Sequence, residues 1–379
     1  MQINTMRVKL LILCIISLFG CKEEFLLESI NYKPTLVVEG TITNEPGPYI
    51  IKISNSSPIT DGKMIPHENC IVILYENTNY SEQLTEIEPG LYSTSEDGLQ
   101  GKIGNEYKIT IVTPEGNEYE CQYQKLPEPV GIDSLFPKLI YQESLSYPLG
   151  LPGYQFYINT KKSNSLENYF LWDLTETYQY TAEYIVVDFI NLENATPEDY
   201  YKYYRCWKTQ KIKNLYTGKT SNLVVPQIVE HPLHFVSTNT RRLQERYSLL
   251  LKQYSINKET YSYYKNIENL FSSENFLSTS QPYNVIGNIK NSKNESELVF
   301  GNFTVASVIQ KRIYVNAPNV PFYFEKCGIG FDLIELKRRS TPVYLVIAEN
   351  GLMGGVAEPC INCTFEGGVI EKPDFWIDF

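Results

Sequence analysis

The sequence predicts a mainly β protein: an N-terminal Ig-like or transthyretin-like β-sandwich, then a larger antiparallel β-rich domain with one or two short helices. Three observations predict it. Short runs of alternating apolar and polar residues recur with almost no helical pattern between them. Thirty tyrosines, within 13% aromatic residues, favour half-buried sheet surfaces. The 379 residues exceed what one core ordinarily holds, so two domains are expected.

In chain order, residues 1–20 read as a signal peptide. Arg7 and Lys9 precede an apolar run from Leu10 to Phe19, which is too short to span a bilayer, since that takes about 20 apolar residues. Leu18-Phe19-Gly20-Cys21 resembles the bacterial lipobox, whose cysteine is acylated and becomes the mature N-terminus. Each buried CH₂ of an acyl chain is worth about 0.8 kcal/mol, so several chains hold a soluble body on a membrane. Lys22-Glu23-Glu24 resembles the export signal that routes lipoproteins of Bacteroidetes-type bacteria to the outer face of the outer membrane. Removing residues 1–20 takes away Arg7 and Lys9 and no acid, so a net charge of −11 becomes −13. Nucleic acid is not an expected partner for such a surface, because binding a polyanion needs clustered Lys and Arg.

Residues 21–34 form a polar tether ending at Pro34, and a β-sandwich is expected over 35–128. Strands are predicted at Leu36–Thr43, Tyr49–Ile53, Ile71–Tyr75 and Tyr107–Thr113, with Asn44-Glu-Pro-Gly-Pro48 as a turn. Gly98, Gly101 and Gly104 have the spacing of a phosphate loop. A strand follows them where phosphate binding needs a helix N-terminus, so they read as turn glycines. Lys125-Leu-Pro-Glu-Pro-Val130 marks the boundary, since its two prolines stiffen a link.

The larger domain is expected over 129–379. Its strands are predicted at Tyr154–Asn159, Tyr169–Tyr180, His234–Ser237, Tyr247–Ile256, Leu298–Val308 and Val343–Ile347. One helix is predicted after Asn257, which caps it, with Tyr261, Tyr264, Ile267 and Leu270 on one face. Residues 272–296, rich in Ser and Asn, read as a long loop.

Six cysteines besides Cys21 follow the signal, and an even number in an exported chain reads as disulfides. Cys70 and Cys121 are expected to pair within the first domain. Cys206, Cys327, Cys360 and Cys363 allow three connectivities, all left open. Cys360-Ile-Asn-Cys363 has zinc-ligand spacing, and His231-Pro-Leu-His234 would complete a four-ligand set on paper. In a strand, residues three apart point to opposite faces, so the two histidines diverge and no metal or other cofactor is expected. The same argument separates Asp173 from Glu176. No nucleophile elbow appears, and a catalytic triad would rest on His67, His231 or His234 without supporting context, so no enzyme is expected.

Several runs together are similar to the domain of unknown function 4249 family. They are Leu36–Ile42 with Glu45–Tyr49, Gly101–Tyr107, Tyr169–Trp172 with Glu176-Thr177, Arg246–Tyr254, Gly287–Ile289, and Cys360-x-x-Cys363 followed by Gly367-Gly368 and Lys372–Trp376. The resemblance implies an outer-membrane lipoprotein, often encoded beside a TonB-dependent transporter, with no established activity. The expected role is a surface-exposed, non-enzymatic accessory or substrate-binding partner of such a transporter. The alternative is an independent adhesin or envelope-structural lipoprotein.

Overall fold

The computed structural model describes residues 34–57, 64–272, 285–339 and 341–378. In chain order the strands are β1 (Leu36–Thr43), β2 (Ile50–Asn55), β3 (Ile71–Glu76), β4 (Tyr80–Gln83), β5 (Thr85–Glu88), β6 (Leu91–Ser93), β7 (Glu106–Val112) and β8 (Glu118–Glu120). The hairpin β9 (Ile132–Ser144) and β10 (Tyr147–Thr160) follows. Then come β11 (Tyr169–Thr181), β12 (Val186–Ile190), β13 (Arg205–Lys211), β14 (Tyr216–Lys219), β15 (His231–Ser237) and β16 (Arg246–Ile256). The chain closes with β17 (Phe300–Asn316), β18 (Val343–Ile347) and β19 (Met353–Val356). Helices are α1 (Pro197–Tyr201), α2 (Lys258–Ser272) and α3 (Leu333–Lys337). No helix among the described residues is long and apolar enough to cross a membrane.

The protein is mainly β, as its alternation predicts. In β7, Tyr107, Ile109 and Ile111 are fully buried while their neighbours face outward. They pack with Val72, Leu74, Ile51 and Ile53 into the core of the first sandwich. A second core holds Phe156, Phe170, Trp172, Tyr247 and Leu249 between the β9-β10-β15 sheet and the sheet of β11 and β16. A third, smaller sheet runs in the order β12-β18-β19.

One sheet joins the two sandwiches. Its order is β13-β11-β16-β17-β1-β2-β6-β5, so β17 lies between the larger region and the first strand of the chain. The β1–β17 contact is parallel, from Val37↔Phe300 to Thr43↔Ala306, whereas β16 and β17 are antiparallel. Residues 290–291 pair with β8 on the facing sheet, and Ile289, Val299, Phe303 and Val305 enter the first core. The chain therefore crosses back over the boundary expected at 128/129. At the junction Gly301 has φ +84°, and a Cβ there would stand 2.0 Å from the Val38 carbonyl oxygen. Only glycine fits such a backbone angle and approach.

The helix expected after Asn257 is present, and Asn257 Oδ1 accepts the Thr260 N–H at 2.7 Å as its cap. Tyr261 and Tyr264 pack on Tyr169, Leu171 and Ile256, which fixes the helix over the sheet junction. Of the loop expected over 272–296, residues 273–284 lie outside the described residues, and 285–296 are irregular apart from 290–291. The hairpin was legible only as Tyr154–Asn159; it is far longer, reaching back to Ile132.

Candidate functional site

Cys21, expected to be lipidated, and Lys22, Glu23 and Glu24, expected as an export signal, lie outside the described residues. What the fold does fix is where the chain leaves them. Pro34 leads directly into β1, whose Val37 sits beside Phe300 at one pole of the molecule. From Phe300, β17 runs 17 residues to Asn316, beside Arg246, which at about 3.3 Å per residue puts the opposite pole roughly 50 Å away.

The cysteines settle differently in the two regions. Cys206 bonds to Cys363 and Cys327 to Cys360, with Cα separations of 5.8 and 6.0 Å. Both thiols of the C-x-x-C thus go to distant partners, and each ties the C-terminal segment to the far pole. Cys70 and Cys121, expected as a pair, are instead free and buried. Cys70 precedes Ile71, which pairs with Val112, while the Cys121 N–H donates to the Ile109 carbonyl. They therefore lie on opposite sides of β7, offset by about 13 Å along it and about 10 Å across it. A disulfide needs Cα atoms within about 7 Å. Burial pushes the Cys121 thiol up to about 11, so it stays protonated.

The closing Cys-x-x-Cys to Trp376 series is a strap. Gly367, with φ +78°, ends the turn after Cys363, and the Tyr180 hydroxyl donates to the Cys363 carbonyl at 2.7 Å. Further on, Phe375 lies 3.8 Å under the Arg312 guanidinium and Trp376 packs edge-on against Tyr314, covering the outer face of β17.

The chemistry-bearing cluster is built on Glu176. Alternation along β11 puts Trp172, Leu174, Glu176 and Tyr178 on the core face, so a carboxylate is carried inside, only 1% exposed. It accepts from the Tyr247 hydroxyl at 2.8 Å and Gln210 Nε2 at 2.5 Å, with Arg242 Nη1 at 3.5 Å. His234 Nε2 stands 3.8 Å away, while its Nδ1 meets the Tyr216 hydroxyl at 3.3 Å. Burial, reinforced by Arg242 and only partly opposed by Glu176, pushes His234 down to about 4, so it is neutral near pH 7. Burial and the Glu176 charge push Tyr247 well above its ordinary value. This is a carboxylate–guanidinium brace that ties β11, β13 and β16 of one sheet to the turn at Arg241–Leu243, with His234 of the facing sheet alongside. Asp173 does point away, to Lys211 at 2.7 Å, but the histidines do not diverge as expected: His231 lies tilted against Trp172, centroids 4.8 Å apart, on the same core face that His234 meets at Glu176, because the register with β10 shifts between them. Sequence reasoning separated Asp173 from Glu176 but missed the brace. The signal was an acid at an inward position of an aromatic strand.

Among the open surfaces of the described residues, two bear on function. A cleft of about 730 Å³ lies between the sandwiches, with the expected linker as one wall (Lys125, Pro127, Pro129) and Lys161, Asn164 and Tyr169 on the other. The second is the hairpin tip. Gly153 pairs with Ser237, Thr238 N–H donates to Pro152, and Tyr147 packs on Tyr323, so the tip projects at the pole opposite Pro34. Leu145 and Leu149 are there 108% and 88% exposed, beside a groove of about 310 Å³ lined by Tyr141, Tyr147 and Pro148. Ile347, Leu352 and Met353 add exposed apolar surface on the third sheet. The tip was also missed. Its signal is the run Leu145-Ser-Tyr-Pro-Leu149, which places leucines where a hairpin ordinarily has Gly, Asn or Asp.

A family model described as a domain of unknown function, DUF4249, matches residues 22–312. The strap lies beyond the matched span. No curated protein matches the chain.

Proposed function

Because the chain belongs to the domain of unknown function 4249 family, we propose that it is a non-enzymatic lipoprotein of the outer membrane, exposed at the cell surface, that serves a TonB-dependent transporter as an accessory or substrate-binding partner. Acyl chains on Cys21 hold it, and Lys22, Glu23 and Glu24 direct it outward. The observation that carries the reading is the molecule's polarity. The tether joins one pole, and the exposed leucines of the hairpin stand at the other. Exposed apolar groups gathered at a tip mark interaction surfaces. Residues 22–34, fully extended, reach at most about 45 Å, so a tethered body can lean over a neighbour in the same membrane. The cleft between the sandwiches supports the substrate-binding part, because its volume suits a small ligand. The Glu176 cluster is read as a brace because its carboxylate is engaged by three protein donors.

Palmitate labelling, membrane fractionation and extraction in mild detergent test this together. Wild-type protein is expected labelled, membrane-bound, accessible to protease on intact cells and co-extracted with a β-barrel transporter, and Cys21→Ser is expected soluble. A Cys21→Ser chain that stays in the membrane overturns the anchor. A wild-type chain that extracts alone and binds matrix or glycan favours the adhesin reading.

A further inference from the structure

We infer that the outer half of β9, Leu139–Ser144, is a docking edge to which an extracellular segment of the partner transporter adds as a β-strand, with Leu145 and Leu149 seated in that partner; this deepens the function proposed above and rests on it. β9 is an edge strand, since among the described residues its sheet runs β9-β10-β15 and stops. Its two halves differ. The inner half lies close to β17, where Lys311 Nζ donates to the Asp133 carbonyl at 2.9 Å, and it ends in Pro137 and Lys138. Proline and lysine are the residues that keep an edge from recruiting strands. The outer half has no such guard, Glu143 being its one charge. It is six residues long, with regular pairing to β10 over Leu139–Gln142 and a register shift between Gln142 and Ser144, so four residues form the flat part of the edge. Leu139 and Tyr141 are 44% and 55% exposed on one face. In strand addition the main chain supplies affinity, and alternate side chains and pockets supply specificity.

Other occupants fit less well. The chain's own tether joins the opposite pole, and its reach of about 45 Å falls short of a tip standing beyond the roughly 50 Å that β17 spans. A bilayer is a poor match for an edge strand, whose free N–H and C=O groups need hydrogen-bonding partners that lipid does not supply. A second copy brings another net −13 toward the first, and like charge opposes self-association. A neutral, apolar finger held clear of an acidic body suits a different protein.

The test uses full-length lipoprotein co-extracted with the transporter from its own membrane. The outward-pointing backbone amides of 139–144, those not bonded to β10, are expected to exchange at least tenfold more slowly in the complex than in the chain released from it. Leu139→Lys with Tyr141→Lys, and separately Leu145→Ser with Leu149→Ser, are expected to lower the co-extracted transporter at least tenfold. All four sites are exposed, so unchanged melting of both variants controls for folding. A complex that persists in both variants, or leaves those outward-pointing amides exchanging freely, overturns this inference while the proposed function stands. A photo-crosslink from Leu145 to a second copy of the chain overturns it too. A wild-type chain that extracts without a transporter removes both.

Discussion

Glu176 shows how one residue governs a core. A buried carboxylate deprived of a donor loses about 1–3 kcal/mol. Tyr247→Phe takes away the 2.8 Å phenol donor and changes almost nothing in shape, so it is expected to destabilise the protein by that amount in chemical denaturation. An unchanged midpoint would show that the brace does not depend on this bond. His234 gives the pH dependence. Its folded value, about 4, lies below the 6.5 of the free group. As pH falls through 6.5 the unfolded chain takes up a proton that the folded one refuses until about 4. Stability is therefore full above 6.5, falls between 6.5 and 4, and loses nothing more from this group below. The gap between the two values amounts to about 3 kcal/mol. Relative to His234→Gln, the wild type is expected to lose that much between pH 7.5 and pH 4, read from paired denaturation curves. Parallel curves would refute it. The groups facing the ring are Glu176, Arg242 and Tyr216, and the variant leaves all three in place.

At the scale of elements, the strand junction is the sensitive point. Gly301 and Gly104 both have positive φ, +84° and +91°, but a Cβ on Gly104 meets nothing within 4 Å. Gly104→Ala is expected to cost only the backbone preference, about 1–2 kcal/mol. Gly301→Ala adds a clash with the Val38 carbonyl, which is backbone and cannot swing aside, so about 3 kcal/mol or more is expected. Equal losses would show that the β1–β17 junction yields. The contrast also explains what the sequence disclosed. β7 and α2 were legible because periods of 2 and 3.6 are local properties of side-chain direction. β1 was legible as a strand, yet its parallel partner more than 250 residues away was not, because pairing between distant strands leaves no local period. Cys70 and Cys121 misled for the same reason. Cys70 directly precedes a predicted strand and Cys121 directly follows β8, and only the register across β7 shows them too far apart to bond. The polar tip of an ordinary hairpin announces itself with turn residues; Leu145-Ser146 does not, so the longest hairpin of the molecule escaped notice.

At the scale of the whole molecule, the shared sheet decides what can fold alone. A sandwich cut at the linker, residues 35–128, keeps β1 to β8 but loses Ile289, Val299, Phe303 and Val305, which are 0–2% exposed in its core. Fully burying such side chains contributes about 1.5–3 kcal/mol each. The four together reach about 6–12 kcal/mol, comparable with the 5–15 kcal/mol that separates a typical folded domain from its unfolded chain. The cut also strips β1 of its parallel neighbour, leaving a hydrogen-bonding edge that invites aggregation. The fragment 35–128 is therefore expected to give no cooperative thermal transition. The same fragment with residues 285–308 fused through a flexible linker is expected to regain one, because that segment restores both the core residues and the neighbouring strand. A sharp transition from 35–128 alone would show that the first sandwich stands independently and that the far strand merely rests against it. Restoration by the fused segment would show the reverse: β17 and the residues before it are part of the first sandwich, and the linker at 128/129 is not a folding boundary.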